Sequence, residues 1–242
     1  MKLHSSVYRL LKQFVRTKST IQRIDSRAHL VKKHTILSRD HLTPEIGLHL
    51  ITRECPLWSS KIEDDTPFQD PFWAFYWPGG QAMTRYILDN VEIFKHQTVL
   101  DVGCGCGASS IAASMVGAKR VVANDIDSYA IVATELNAAV NHVNLETSQE
   151  NLIGNTQSDW SIVLLGDMFY DETFRDILVQ WTTKLYHKFK TNVFIGDPGR
   201  LPLLNHPIRD SLTKVAEYDL SNVSKEENYG LSTGYVWKLD VR

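Results

Sequence analysis

The sequence has little cysteine, no long apolar run and no excess of charge of either sign. Its three cysteines, Cys55, Cys104 and Cys106, are too few for a disulfide framework, so we expect a fold that does not depend on an oxidising compartment. No apolar run approaches the roughly 20 residues that a membrane-spanning helix needs. The net charge of −2 argues against a dedicated nucleic-acid-binding protein. The 242 residues suffice for one sizeable hydrophobic core.

The N-terminal segment differs in composition from the rest of the chain. Up to Arg27 it holds seven basic residues against the single acid Asp25, and its apolar residues recur every three or four positions. This pattern predicts a helix with a basic side and an apolar side, which is typical of mitochondrial transit peptides. The alternative is a basic arm that lies on a membrane or on nucleic acid. We predict a transit peptide over residues 1–35, a folded domain over residues 36–242 and a location in the mitochondrial matrix.

Strand-like and helix-like segments alternate through the second half of the chain. Short apolar runs predict strands at 98–102, 120–125, 161–167 and 192–197, with a weaker one at 146–150. Helical patterns lie between them, at 108–118, 128–143 and 173–189. This alternation indicates βαβ units, and therefore an α/β fold with a mostly parallel sheet and helices on both faces. Further helices are predicted from Thr43, over 81–94 and near 208–215, and further strands over 215–223 and 232–241.

A glycine-rich loop follows the first of these predicted strands, in the stretch VLDVGCGCG. Gly103, Gly105 and Gly107 would let the backbone turn sharply and approach a ligand with no Cβ in the way. A doubly wound sheet brings ligands to this place, where a strand ends and a helix begins. Asp101 ends the strand before the loop. Asp125 ends the next strand, where an acid can accept hydrogen bonds from two ribose hydroxyls.

The cysteines between the glycines have a second possible interpretation, as metal ligands. A zinc site needs about four donors in recognisable clusters, and Cys104 and Cys106 have no second Cys/His pair nearby. We therefore predict that they are small side chains in a loop built for close approach, and that the protein has no metal site.

The spacing of the glycines, G-x-G-x-G, differs from the G-x-G-x-x-G of dinucleotide-binding loops. Together with Asp101 and Asp125 it resembles the S-adenosylmethionine loop of the seven-β-strand methyltransferases. The stretches DPFWAFYWPGGQAM, VVANDID, LLGDMFYDE and IGDPGR are, in order and spacing, similar to the electron transfer flavoprotein β-subunit lysine methyltransferase family. The resemblance covers residues 42–237 and implies a Rossmann-like fold with a seven-stranded, mostly parallel sheet.

The resemblance also implies roles for individual residues. Asp101, Gly103, Gly105 and Gly107 would form the cofactor loop and Asp125 would bind the ribose. Asn151 and Trp160 would lie near the adenine, although the segment around Asn151 matches the family least well. Asp167 and Tyr170 match a D-x-x-Y pattern at the end of the fourth strand, where related enzymes receive the target lysine. The alternatives are that Asp167 caps a turn and that Tyr170 is a packed aromatic residue.

The aromatic stretch that ends at Trp77 has two interpretations. As a strand-like run followed by the break Pro78-Gly79-Gly80, it would turn alternate residues to opposite sides, and Trp77 would line the cofactor and lysine channel. Alternatively, it is core packing beneath the sheet.

The function that the resemblance implies is an S-adenosylmethionine-dependent protein-lysine N-methyltransferase. Its substrate would be the electron transfer flavoprotein β subunit, whose lysines it would trimethylate. Two alternatives remain open: methylation of another acceptor, such as a ribosomal protein or a small molecule, and a cofactor-sensing binder without turnover.

Overall fold

The computed structural model describes residues 26–59, 67–156, 160–228 and 230–240. Most of the predicted transit peptide, residues 1–25, lies outside the described residues. Residues 26–34 form a helix, α1. Its Val31 is fully buried in a cluster that contains Ile51, Phe68 and Trp73. A cut after residue 35 would therefore remove a core side chain, and that boundary stays a prediction.

Nine strands and seven further helices follow α1 in the described part of the chain. The strands are β1 (Ile36–Ser38), β2 (Leu48–Leu50), β3 (Thr98–Val102), β4 (Arg120–Asn124), β5 (Glu146–Ser148), β6 (Ile162–Gly166), β7 (Asn192–Asp197), β8 (Leu212–Asp219) and β9 (Thr233–Leu239). The helices are α2 (Pro78–Asp89), α3 (Val91–Phe94), α4 (Ala108–Met115), α5 (Ser128–Val140), α6 (Glu172–Phe189), α7 (Leu201–Leu204) and α8 (Asn222–Glu227). Short 3-10 helices form at Pro56–Ser59, Phe72–Ala74 and Pro207–Ser211.

Seven of the strands form one sheet in the order β5-β4-β3-β6-β7-β9-β8. The strands from β5 to β7 are parallel, and β9 is antiparallel to both β7 and β8. The predicted α/β fold with a mostly parallel sheet is confirmed. Because the parallel strands all point the same way, the loops that follow β3, β4, β6 and β7 meet at one edge of the sheet, which we name the carboxyl edge.

Apolar side chains cover both faces of the sheet. On one face Met83 and Ile87 of α2 join Ile111 of α4 and Phe194 of β7 in a buried cluster. The other face holds a second cluster, in which α6 contributes Leu178, Trp181 and Leu185. The near-continuous apolar runs of the central strands follow from this cover on both faces.

Two predicted helices are absent from the structure. No helix begins at Thr43: β2 follows instead and pairs with β1 as an antiparallel hairpin, because Asn141 of α5 bonds the backbone of Gly47 and holds this segment extended. The helix near 208–215 is replaced by a 3-10 turn and by β8, which gains ladder bonds with β9 from Leu212 onward. The predicted strand over 215–223 accordingly ends earlier, and α8 begins within it.

The sequence Pro78-Gly79-Gly80 after Trp77 forms the start of α2 rather than a break between elements. Proline suits the first position of a helix, since its missing N–H has no partner there. Gly79 is required by packing: a Cβ on it would overlap the carbonyl group of Gly196 and lie 2.6 Å from Asp167 Oδ2. The N-terminus of α2 thus sits directly on the ends of β6 and β7.

Candidate active site

The glycine loop between β3 and α4 lies at the carboxyl edge, as predicted. Gly103, Gly105 and Gly107 have φ values of +66°, +53° and +80°, a region that favours glycine. A Cβ on Gly103 would overlap the Met168 side chain, and one on Gly107 would lie 2.7 Å from Thr134. At Gly105 the nearest atom would be 3.5 Å away. Backbone conformation requires glycine at all three positions, and packing requires it at two.

Asp125 is fixed beside this loop at the end of β4. Its Oδ2 accepts the N–H of Gly105 at 3.0 Å, and its Oδ1 accepts the N–H of Asp127 at 2.9 Å. Partial burial raises the pKa of the carboxyl, although these two hydrogen bonds oppose the rise. Each oxygen keeps a second lone pair, so a diol could still donate to the carboxylate.

Asp101 lies beneath the loop rather than on its surface. It is buried, and its Oδ2 accepts the hydroxyl of Ser110 in α4 at 2.6 Å. Burial raises the pKa of Asp101 to about 6. The structure therefore brings Asp101 to the loop as a brace between β3 and α4.

The two loop cysteines are buried and free. Burial raises the pKa of Cys106 to about 12 and that of Cys104 well above its ordinary value. These thiols stay protonated at neutral pH, whereas the thiolate is the form that binds metals. Among the described residues no cluster of three or more His, Cys, Asp or Glu side chains could hold a metal ion.

Two polar residues of α5 hold the loop from the side. Thr134 donates to the Gly105 carbonyl at 3.1 Å, and Asn137 donates to the Cys106 carbonyl at 2.8 Å. Asn137 also accepts the N–H of His49 in β2 at 2.7 Å. Sequence reasoning missed both; the signal was a pair of buried polar residues about one turn apart in α5.

Asp167 comes directly after β6 and is buried at the carboxyl edge, with a left-handed φ of +56°. Its Oδ2 accepts the N–H of Gly80 in the first turn of α2 at 2.8 Å. Its Oδ1 accepts Arg200 Nη2 at 2.9 Å. Burial raises the pKa of Asp167, and Arg200 opposes that rise. Asp167 thus has a capping role, which was the alternative to a role in catalysis. The element that it caps is α2, which is distant in sequence, and not the turn that follows Asp167.

Tyr170 and Trp77 lie on the surface around Asp167. The Tyr170 side chain is exposed and stacks on Phe174, with ring centroids 5.5 Å apart. Half-buried Trp77 donates its Nε1–H to the Phe72 carbonyl, and Arg200 lies 5.9 Å from its ring centroid. The expectation of a strand-like run at 70–77 is wrong, since Phe72–Ala74 form a 3-10 turn.

The two residues predicted near the adenine separate in the structure. Asn151 follows β5 at the carboxyl edge, and its Oδ1 accepts the N–H of Ile153. Trp160 precedes β6 and lies at the opposite edge, where it contacts the Arg120 guanidinium at the start of β4. Five strand residues at roughly 3.3 Å each separate that edge from the glycine loop. The placement of Trp160 in this site is therefore corrected.

The end of β7 and the loop after it supply two further residues, Asp197 and Arg200. Asp197 is fully buried, and its Oδ1 accepts the N–H groups of Gly199 and Arg200, both at 2.7 Å. Its Oδ2 and Arg200 Nε are buried with no hydrogen-bond partner among the described residues. Burial, with the nearby charge of Asp167, raises the pKa of Asp197 to about 7. The IGDPGR motif was visible, but not its contact with Asp167.

Comparisons with known proteins identify relatives of this chain. The family model described as ribosomal protein L11 methyltransferase (PrmA) matches residues 79–196. Three relatives are each named electron transfer flavoprotein beta subunit lysine methyltransferase. That of Xenopus laevis is 47% identical over 87% of this chain and 85% of its own length. That of Danio rerio is 45% identical over 93% and 87%, and that of Homo sapiens is 46% identical over 87% and 80%.

Proposed function

The chain belongs to the electron transfer flavoprotein β-subunit lysine methyltransferase family, and from this premise we propose that it transfers methyl groups from S-adenosylmethionine to lysines of that flavoprotein subunit. The observation that carries the proposal is the meeting, at one edge of one sheet, of a glycine loop tied to Asp125 and a buried carboxylate, Asp167. The first arrangement suits an adenosine cofactor, and the second suits a cationic acceptor.

The residues around the glycine loop fit the cofactor. Asp125 has free lone pairs for the two ribose hydroxyls, and Asn151 at the end of β5 offers an amide for the adenine. Buried Trp73, whose carbonyl lies beside Gly105, has an Nε1–H without a partner among the described residues. When bound, S-adenosylmethionine supplies an electrophilic methyl group on a positively charged sulfur.

Asp167 and Tyr170 act on the methyl acceptor. Asp167 accepts an N–H of the lysine nitrogen and so orients its lone pair toward the methyl group. The lysine must lose a proton first, because a free amine with a pKa of about 10.4 is mostly charged at neutral pH. Desolvation at this buried edge favours the neutral amine. Tyr170 and Trp77 present ring faces that attract the methylated ammonium.

A protein acceptor, rather than a small molecule, is supported by the surface around the site. Four large apolar side chains near the carboxyl edge are the most exposed of their kind among the described residues: Phe72 at 63%, Ile126 at 71%, Tyr170 at 61% and Leu201 at 68%. We name these four residues the apolar rim. A ring of exposed apolar side chains around a catalytic edge is the kind of surface that a protein partner covers.

The proposed location is the mitochondrial matrix. It is supported by the basic, acid-poor composition of the first 27 residues, which predicts a transit peptide. No helix in the described part of the chain is long and apolar enough to cross a membrane.

A second candidate substrate is a ribosomal protein of the L11 type. It is favoured by the match of residues 79–196 to the L11 methyltransferase model. The same site would serve it, so only the acceptor distinguishes the two candidates.

Methyl transfer followed by intact-mass measurement tests the proposal. The chain without its first 25 residues is incubated with S-adenosylmethionine and either the flavoprotein β subunit or ribosomal protein L11. We expect the flavoprotein subunit to gain mass in whole methyl increments, up to trimethylation of a lysine. A gain by L11 alone would replace the substrate, and a gain by neither would favour a binder without turnover.

A matched pair of variants locates the activity. Asp125→Ala should strongly reduce transfer at subsaturating S-adenosylmethionine, because the carboxylate that holds the ribose is lost. Asp219→Ala should retain it, since Asp219 also ends a strand at the carboxyl edge but lies exposed on the outermost strand β8.

A further inference from the structure

We propose that Arg200 is a positioning residue for methyl transfer: its guanidinium keeps the carboxylate of Asp167 ionised and turned toward the acceptor nitrogen. This inference rests on the proposed function and adds the residues that prepare Asp167 for it. Within the described part of the chain, Arg200 is the only cation that forms an ion pair with Asp167.

The contact is buried and specific. The Asp167 carboxylate lies between two donors, with Gly80 N–H on Oδ2 at 2.8 Å and Arg200 Nη2 on Oδ1 at 2.9 Å. The Asp167 side chain is 5% exposed and that of Arg200 is 27% exposed. The ion pair therefore lies largely out of water, and Arg200 is its more exposed partner. An ion pair in such surroundings is screened little by water.

Hydrogen bonds in the loop after β7 fix the position of Arg200. Asp197 Oδ1 accepts the backbone N–H of Arg200 and that of Gly199, which has a φ of +95°. Trp77 flanks the guanidinium at 5.9 Å. The sequence IGDPGR thus forms a turn that fixes the start of the arginine side chain and leads its end to Asp167.

Charge balance explains what Arg200 does there. The charged groups that face Asp167 are Arg200 and Asp197 from the β7 loop, and α2 contributes only the N–H groups of Gly79 and Gly80. Of these two buried carboxylates, Asp167 pairs with the guanidinium, and Asp197 accepts the backbone N–H of Arg200. Burial already raises the pKa of both acids, to about 7 for Asp197. Without Arg200, the cation that opposes the rise in the pKa of Asp167 is lost, so Asp167 would take up a proton at a higher pH than in wild type.

A protonated Asp167 would be a poor partner for the acceptor. It would carry no charge to attract a lysine, and its acidic proton would compete for the lone pair that must attack the methyl group. Among the described residues Asp197 Oδ2 and Arg200 Nε have no hydrogen-bond partner, although most buried polar groups in proteins are paired.

The variants Arg200→Met and Arg200→Lys test the inference. Methionine keeps an apolar stem but removes the cation, and lysine restores the charge. Arg209→Met is the matched control, because the Arg209 guanidinium also packs on a tryptophan, Trp237, at 4.2 Å but lies outside the cluster. Measurements are kcat/KM for the flavoprotein subunit against pH and S-adenosylhomocysteine affinity by calorimetry.

We expect Arg200→Met to lower kcat/KM about tenfold to hundredfold near neutral pH. Because Asp167 must be ionised, the loss should shrink as pH rises, and the midpoint of the acid limb should move up by about one pH unit or more. S-adenosylhomocysteine affinity should stay within about twofold of wild type, since Arg200 does not contact the glycine loop. Arg200→Lys should recover most of the activity, and Arg209→Met should match wild type.

A measurement without substrate separates this inference from the proposed function. A carboxyl group whose pKa is raised in the folded state stabilises the protein at low pH, and this contribution is lost as pH rises through the raised pKa. Arg200→Met raises the pKa of Asp167 further, so acidification from about pH 7.5 to about pH 5.5 should stabilise this variant more than wild type. Equal responses would overturn the inference.

The remaining outcomes also decide the question. If wild type methylates protein and Arg200→Met loses activity equally at every pH, Arg200 is merely structural and the inference fails while the function stands. If wild type methylates no protein, the proposed function fails and the catalytic role of Arg200 falls with it. Should Arg200→Met not fold, Arg200→Gln, which also removes the cation, takes its place, and an unshifted acid limb in that variant overturns the inference.

Discussion

At the carboxyl edge, a single residue can adopt a backbone conformation that costs free energy. Asp167 is one of four non-glycine residues with a positive φ in the described part of the chain, and it is the buried one with two donors on its carboxylate. The three loop glycines have positive φ as well. The strain at Asp167 persists only where surrounding contacts fix it, as the Gly80 N–H and the Arg200 guanidinium do here.

A glycine of the loop and a glycine outside it should differ in their tolerance of a methyl group. Gly107→Ala adds a Cβ 2.7 Å from Thr134 to a residue with φ of +80°, whereas Gly154→Ala meets nothing within 4 Å at φ of +90°. Gly154→Ala should therefore cost only the strain of about 1–2 kcal/mol. Gly107→Ala should cost about 1–3 kcal/mol more and weaken S-adenosylhomocysteine binding. Thermal unfolding and calorimetry check this, and equal costs would contradict it.

Only some of the residues that form the site could be predicted from the sequence. The glycine loop, Asp125 and Asp167 could be located because each follows directly after an apolar strand. Arg200 and Asn137 could not, because their contacts join segments 33 and 31 residues apart, with Asp167 and with Cys106 respectively. Trp160 was misplaced because a resemblance in order does not say at which edge of the sheet a residue lies.

At the scale of elements, α5 connects the site to the N-terminal hairpin. Asn137 bonds the Cys106 carbonyl of the glycine loop and the His49 N–H of β2, and Asn141, one turn later, bonds Gly47. The hairpin formed by β1 and β2 is therefore pinned by the same helix that supports the cofactor loop. The sequence predicted α5 but not the hairpin, since three-residue strands carry too little periodicity to be recognised.

Two asparagine variants should separate these two duties of α5. Asn137→Ala leaves a buried carbonyl and a backbone N–H without partners, which should cost about 2–4 kcal/mol and weaken S-adenosylhomocysteine binding. Asn141→Ala removes contacts to Gly47 and to the Asn137 carbonyl within α5 rather than to the glycine loop, so it should lower stability but leave the affinity near wild type. Thermal unfolding and calorimetry on both variants provide the comparison. An Asn141→Ala variant that loses affinity as much as Asn137→Ala would refute this division.

At the scale of the whole molecule, the direction of the strands in the sheet determines where the site lies. Once the βαβ pattern fixed parallel strands from β5 to β7, the carboxyl edge had to gather the loops that carry Asp125, Asp167 and Asp197. The C-terminal part was harder to predict, because β8 becomes a strand only by pairing with β9, and its own pattern is half polar. Local periodicity cannot report a partner that comes later in the chain.

The apolar rim should control binding of the protein substrate without affecting the cofactor. The double variant Phe72→Ser with Leu201→Ser should raise KM for the flavoprotein β subunit about tenfold or more, because two exposed apolar contacts are lost. Its S-adenosylhomocysteine affinity should stay unchanged. Met115→Ser serves as the control, since Met115 is also exposed but ends α4 at the opposite edge of the sheet. A rim variant with wild-type KM would exclude this surface from recognition.

The central claim is that the glycine loop and Asp125 hold an adenosine cofactor at the carboxyl edge. Titrating S-adenosylhomocysteine into the folded protein in a calorimeter tests it most directly, with Asp125→Ala and Asp219→Ala as the paired variants. The account predicts saturable binding at one site in wild type and in Asp219→Ala, and an affinity about tenfold to hundredfold weaker in Asp125→Ala, the loss expected for hydrogen bonds to a charged group. Absence of binding to folded wild-type protein, or equal affinity in Asp125→Ala, would contradict it.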